Sequence, residues 1–126
     1  DRARYRYEDG KWSIKEVIGH LLDAERIFGT RALCIARGEA QPLPGFDENT
    51  YVANAVFDER SLKSIMDEWF HLRDANICLF ASFNDDDISR IGIANGKPIT
   101  PRAIIWTIAG HTVHHLRILR ERYGVS

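Results

Sequence analysis

Apolar side chains recur at helical spacing in three long windows of this chain. In the first, Ile14, Val17, Ile18, Leu21, Phe28 and Ile35 share one face. Trp12-Ser13 precedes that face; Ser13 suits an N-cap, and Glu16 three residues later completes a capping box. Gly38, after Arg37, is the stop. In the second window Leu62, Ile65, Met66, Trp69, Leu72, Phe80 and Phe83 form the face, starting from a cap at Asp58 or Ser61. Asn84-Asp85-Asp86-Asp87 is expected to close this helix as an acidic turn near Phe83. The third window opens on Thr100-Pro101, an N-cap followed by a proline at the first helical position. It runs from Pro101 to Tyr123, with Ile104, Ile105, Ile108, Leu116 and Leu119 apolar, and stops at Gly124.

The connections are short. Glu39 to Asn49 holds two prolines and a glycine and reads as a stiff loop. A short helix is expected over Glu48 to Val56. Ile91 to Ile99 reads as a small hairpin turning at Asn95-Gly96, the favoured two-residue turn. Three long amphipathic helices and little strand predict an all-α, up-down helical bundle forming one domain over residues 1–126. A site on a bundle axis is better closed by four helices. The chain begins at Asp1, without a Met, on a polar segment, and this fits a first helix that is missing or truncated.

Composition narrows the function. Hydrophobic residues are 44% and charged residues 28% of 126, ordinary values for a globular protein with a core. The net charge of −1, with no basic block, argues against nucleic acid as a partner, because phosphate binding needs clustered Lys and Arg. The longest apolar stretch, Ile77 to Phe83, is too short to span a bilayer, so no membrane role is expected. Cys34 and Cys78 form no CxxC pair and read as reduced thiols of a cytoplasmic protein.

Candidate chemistry lies in the histidines. His111 and His115 are four residues apart on the last helix, about 40° apart around it. That spacing stacks two imidazoles as a metal ion requires. Both border the apolar stripe, whereas His114 turns toward water. His20 lies at the core edge of the first helix, beside Val17, Ala24 and Ile27, where an unpaired polar group is costly. A single core-edge histidine is ordinarily just a satisfied polar group. A correctly spaced pair joined by a third histidine from another helix favours a metal site: three nitrogens and an open position, the catalytic arrangement. The HExxH pattern is absent, since Thr occupies position 112. His71 reads as surface. Asp23 reads as a solvated helix charge, with support of His20 a minority reading. Asp47 and Asn49 could reach a pocket from their loop. Arg73 and Asn76, inside an apolar face, read as cross-links between helices rather than as an anion site. Cys34 and Cys78 show no sign of being ligands.

Two segments carry a family resemblance. Trp12-Ser13-Ile14-Lys15-Glu16-Val17-Ile18-Gly19-His20-Leu21-Leu22-Asp23-Ala24-Glu25 resembles the WS-x-x-EV-x-x-H-x-x-x-x-E segment of the DinB-like superfamily. Gly110-His111-Thr112-Val113-His114-His115 resembles its C-terminal H-x-x-HH segment. The resemblance spans essentially the whole chain. It implies a four-helix bundle whose three metal-binding histidines fall on His20, His111 and His115. The first family helix has no counterpart in this chain. The family's thiol transferases and metal-dependent hydrolases imply a divalent metal, zinc or nickel, and a small-molecule substrate that includes a low-molecular-weight thiol in the transferase case. The expected function is therefore a metal-dependent enzyme of thiol S-transferase or hydrolase type. The alternative is a non-catalytic metal-binding or structural bundle that acts through protein partners. With fewer helices than the family fold, apolar faces need cover, and a homodimer is expected.

Overall fold

Residues 2–125 are described by the computed structural model. A 3₁₀ turn, Arg2–Arg4, leads to the first long helix, α1 (Ile14–Ala36). Its start is the predicted capping box: Ser13 Oγ accepts from the Glu16 amide at 3.1 Å, and the Glu16 carboxylate accepts from the Ser13 amide at 2.9 Å. Asp47 caps the short helix α2 (Glu48–Ala55). Val56 follows with φ 54°, a left-handed value that a β-branched residue rarely adopts, and the chain then makes a 3₁₀ turn at Phe57–Glu59. Of the two caps considered for the next helix, α3 (Leu62–Ala81), Ser61 is the one used. Asp58 instead accepts from the Ser13 hydroxyl at 2.6 Å and from Arg6 at 2.8 Å, tying this turn to the start of α1.

The acidic run is more than a closing turn. Asn84 caps a further short helix, α4 (Asp85–Ser89), in a second reciprocal box with Asp87. Three aspartates in its first turn suit the positive end of the helix dipole, and an aperiodic five-residue helix leaves no hydrophobic signature. Strands β1 (Gly92–Ala94) and β2 (Lys97–Ile99) pair antiparallel, Gly92 with Ile99 and Ala94 with Lys97, around the expected Asn95-Gly96 turn. Leu43 adds a bridge to Ala94, so the proline-rich loop is docked on this hairpin. Helix α5 (Pro101–Tyr123) has the predicted cap, proline start and Gly124 stop.

Helix α1 is the spine, and both other long helices pack on it. Near its start Ile14 and Val17 meet Leu119 and Tyr123 of α5. In the middle Leu22 joins Val52, Phe57 and Ile65. Toward its end Ala32 and Ile35 meet Ile104 and Ile108. Each such large side chain contributes about 1.5–3 kcal/mol by leaving water. Gly19 makes the middle contact possible: a Cβ there would stand 2.4 Å from the Phe57 ring. The Tyr123 hydroxyl donates to the Trp12 carbonyl at 2.6 Å and so pins the end of α5 to the start of α1.

A polar knot joins the three long helices. Glu25 of α1 is 3% exposed. Its carboxylate accepts from Arg73 Nη2 at 2.6 Å, from Trp69 Nε1 at 3.1 Å and from Asn76 Nδ2 at 3.2 Å, all on α3. Arg73 also donates to Thr112 of α5 at 3.3 Å. The cross-linking role expected of Arg73 and Asn76 is thus observed, and Glu25 is its centre. The sequence pattern misplaces Leu116, which is exposed. With Trp106 and Val113 it lies on the side of α5 turned away from α1, as Phe70 and Ile77 do on α3. Among the described residues no helix is long and apolar enough to cross a membrane.

Glu25→Ala should leave three donors without their acceptor. Breaking a buried pair costs about 3–5 kcal/mol. Partial exposure of Arg73 lowers the expected loss to about 2–3 kcal/mol, read from urea unfolding. A loss below about 1 kcal/mol would show that the knot does not hold the helices together.

Candidate metal centre

His20 is presented by α1, one turn past the Val17 contact, and His111 and His115 by the facing side of α5. His20 is buried; the other two are half-buried. The three imidazoles converge through the same atom. His20 Nε2 and His115 Nε2 each lie 3.1 Å from His111 Nε2, and the three rings are 4.5–4.9 Å apart between centroids. The structure therefore brings together the three residues singled out in the sequence.

Hydrogen bonding alone does not account for this arrangement. His111 Nε2 faces two other ring nitrogens, and it has either one proton or one lone pair to offer. It can satisfy one neighbour and not the second. A cation bound by all three lone pairs satisfies each. Zinc bonded to nitrogens at about 2.0–2.1 Å in tetrahedral directions would set them about 3.3 Å apart, close to the spacing observed.

The electrostatics agree. Burial, then the neighbouring His111, pull the pKa of His20 down to about 4. Burial and the other three histidines of the cluster region do the same for His115, also to about 4. His111 is lowered by burial and by His114, against an opposing pull from Glu48. All three imidazoles are thus neutral at pH 7 and have lone pairs free for a cation. Trp12 lies 4.9 Å from His20, and Phe28 lies 5.8 Å from His111, ring to ring, so the nitrogens sit against an apolar wall.

The cluster opens into a cavity of about 410 Å³. Residues His20, Ala24, Phe28 and Arg31 form one wall, a single line along α1 at spacings of four, four and three. The opposite side comes from Phe46 of the proline-rich loop, Glu48 at the start of α2 and Asn95 of the hairpin turn. Glu48 is the acid on this wall among the described residues. Gly45 lets the proline-rich loop approach the hairpin, because a Cβ there would meet Asn95 Oδ1 at 2.2 Å.

The remaining candidates fall elsewhere. His71 is on the surface, as expected. His114 is exposed and outside the convergent trio, yet it does not turn fully away. Its ring is 5.1 Å from that of His115, and it lines the cavity. Asp47 caps α2, and Asn49 lines neighbouring clefts rather than this one. Asp23 is half-buried, its pKa raised mainly by burial, and is not part of the cluster. Neither Cys34 nor Cys78 joins it.

The model of the DinB superfamily matches residues 1–119. The chain belongs to the DinB superfamily. Its all-α, DinB-like bundle also resembles the solved structure of YfiT from Bacillus subtilis, described as a probable metal-dependent hydrolase with an unusual four-helix bundle topology. The TM-score is 0.79 at 20% identity, over 99% of this chain and 74% of that one. No curated protein sequence matches. In this DinB-superfamily chain the ligand trio and the α1 side of the cavity follow from helix spacing. Phe46, Glu48 at the start of α2 and Asn95 reach the site through contacts distant in sequence; of the segment expected to reach a pocket, Phe46 and Glu48 line it rather than Asp47 and Asn49.

The histidine shifts set a pH dependence. In the unfolded chain the imidazoles protonate near pH 6.5; in the fold His20 and His115 resist protonation down to about 4. The unfolded state binds more protons between these values, so stability is full above about pH 6.5 and falls toward pH 4. Asp23, with its raised pKa, opposes the loss only at the acid end. Chelator-treated protein should therefore lose melting temperature progressively between pH 6.5 and 5, where ordinary carboxylates remain ionised. A flat profile over that range would refute the clustered, neutral histidines.

Proposed function

We propose that this protein is a divalent-metal-dependent enzyme acting on a small molecule, with His20, His111 and His115 as the metal ligands. The observation that carries this reading is the convergence of three Nε2 atoms at the base of a cavity large enough for a small substrate. Zinc or nickel suits an imidazole set. His20, His111 and His115 would hold a divalent ion, which when bound would supply acidification of a water or a thiol. The chain's own residues do the rest. Trp12 and Phe28 exclude water from one side. Glu48, across the cavity, is placed to take up a proton. His114 borders the same space.

Two chemistries fit this site, hydrolysis and thiol S-transfer. The described activity of the YfiT neighbour supports the first, and the family resemblance supports the second. The two free cysteines fit a reducing, cytoplasmic setting.

The test has two arms. His115→Ala should lose stoichiometric zinc and the melting rise that zinc gives, about 2.7 kcal/mol at a hundredfold excess over Kd. His114→Ala should keep both. The reverse pattern would assign the wrong pair. Offered a low-molecular-weight thiol and an electrophile, a transferase consumes the thiol in a metal-dependent way, and a hydrolase leaves it untouched.

We further propose a homodimer that covers the outer faces of α3 and α5. Phe70, Ile77, Trp106 and Val113 are each more than half exposed there, an apolar display that monomers seldom keep. Light scattering should give twice the 14.4 kDa chain mass, and a monomer at high concentration would reject the pairing.

A further inference from the structure

Arg31 is the half-buried arginine of this fold that lacks a carboxylate. Arg60, Arg73 and Arg90, the other half-buried arginines, each hold one: Glu68 at 3.0 Å, Glu25 at 2.6 Å and Asp87 at 3.4 Å. Arg31 makes no ion pair among the described residues. Its guanidinium lies 5.7 Å from the Phe28 ring and 5.8 Å from the Phe46 ring, and donates to the Pro44 carbonyl at 2.8 Å. That bond anchors the proline-rich loop but uses only one of five N–H donors. Burial already disfavours its charge and pulls its pKa down. A cation kept there with no protein anion is poised for an anion from elsewhere.

Its position says which anion. Arg31 lines the histidine cavity and also a second cavity of about 410 Å³, bounded by Ala94, Lys97, Ile99, Ile104 and Thr107. Phe28, Arg31 and Asn95 line both, so they form the sill between the two. The second cavity has no acid on its walls and holds Lys97, which is also unpaired among the described residues. The acid, Glu48, is on the histidine side. A bound anion is therefore drawn to the Arg31–Lys97 side. One guanidinium fork fits a carboxylate through paired hydrogen bonds, and the neighbouring Phe28, Ile99 and Ile104 suit an apolar or aromatic body.

We propose that Arg31, aided by Lys97, is the anchor of a carboxylate subsite beside the histidine cluster, and that the substrate carries a carboxylate attached to an apolar body. This rests on reading the histidine cavity as a substrate site. Arg31 grips the part of the molecule that does not react and so sets which bond reaches the histidines.

The test uses benzoate and its neutral counterpart benzamide as probes of the full chain, with and without zinc, followed by NMR of the arginine side-chain Nε–H groups. In zinc-free protein benzoate should bind about tenfold more tightly than benzamide, as a charge-assisted pair allows, and should shift the Arg31 Nε–H signal. Arg31→Met should abolish the preference, Arg31→Lys should restore part of it, and Lys97→Met should weaken it about threefold. Circular dichroism checks that each variant is folded, and the Arg31 signal of the unaltered protein reports binding even if a variant is not. Equal binding of both probes to zinc-free protein, no shift at Arg31, or a preference that survives Arg31→Met overturns the subsite. A benzoate preference seen only with zinc and independent of Arg31 places the carboxylate on the metal; it overturns the subsite and leaves the metal reading intact. Failure to bind zinc, with an Arg31-dependent benzoate preference, does the opposite.

Discussion

Three imidazole nitrogens, with His111 Nε2 at 3.1 Å from each of the other two, do not stay together of their own accord. Protonated, the rings repel; neutral, they leave at least one lone pair facing another. The helices that carry them must be fixed by contacts made elsewhere, and this requirement explains much of the fold. Hydrophobic clusters hold α5 against α1 on either side of the histidines, at Ile14 with Leu119 and at Ile35 with Ile104. The Tyr123–Trp12 bond secures one end of that pair. The Glu25–Arg73–Thr112 chain secures the level just past the site, and brings α3 into the same restraint. Contacts made outside the cluster thus help to preorganise it.

Much of this was legible in the sequence because it rests on helix periodicity. The three long helices, their caps at Ser13 and Thr100 and their glycine stops each follow from local chemistry. His111 and His115 are fixed to one face by their spacing, and His20 to the core edge of α1 by its neighbours. The line His20, Ala24, Phe28 and Arg31 follows from helix spacing, but that the α5-facing side of α1 borders a cavity there does not. What stayed hidden depends on contacts distant in sequence. Glu25 closes the family-like segment that begins at Trp12, yet its role as the centre of a knot is hidden until Arg73, Trp69 and Asn76 surround it. Leu116 has the period of a core residue but lies beyond the angular reach of α1. Glu48 and Asn95 enter the site because the start of α2 and the hairpin turn border it. The loop before α2 is open to reading as one that reaches a pocket, but which of its residues do so depends on tertiary contacts.

The charges around the cavity are arranged asymmetrically. The histidine end is neutral by burial and faces Glu48; the sill holds the guanidinium of Arg31, which has no carboxylate partner among the described residues. The proposed function would use both features. A reacting group must meet lone pairs that are not already protonated, and the rest of the substrate must meet something that fixes its direction. Separating the two along one helix face lets each be tuned without altering the other.

The contact of Gly45 with Asn95 has a wider implication. The histidines belong to the helical frame, whose register is held by the buried clusters along α1. Phe46 and Asn95 of the opposite wall belong to two short connections that touch each other and lean on the frame through Leu43 and Arg31. The two parts can therefore be altered independently by substitution. Changes confined to the connections would reshape the cavity while the nitrogens stay in place.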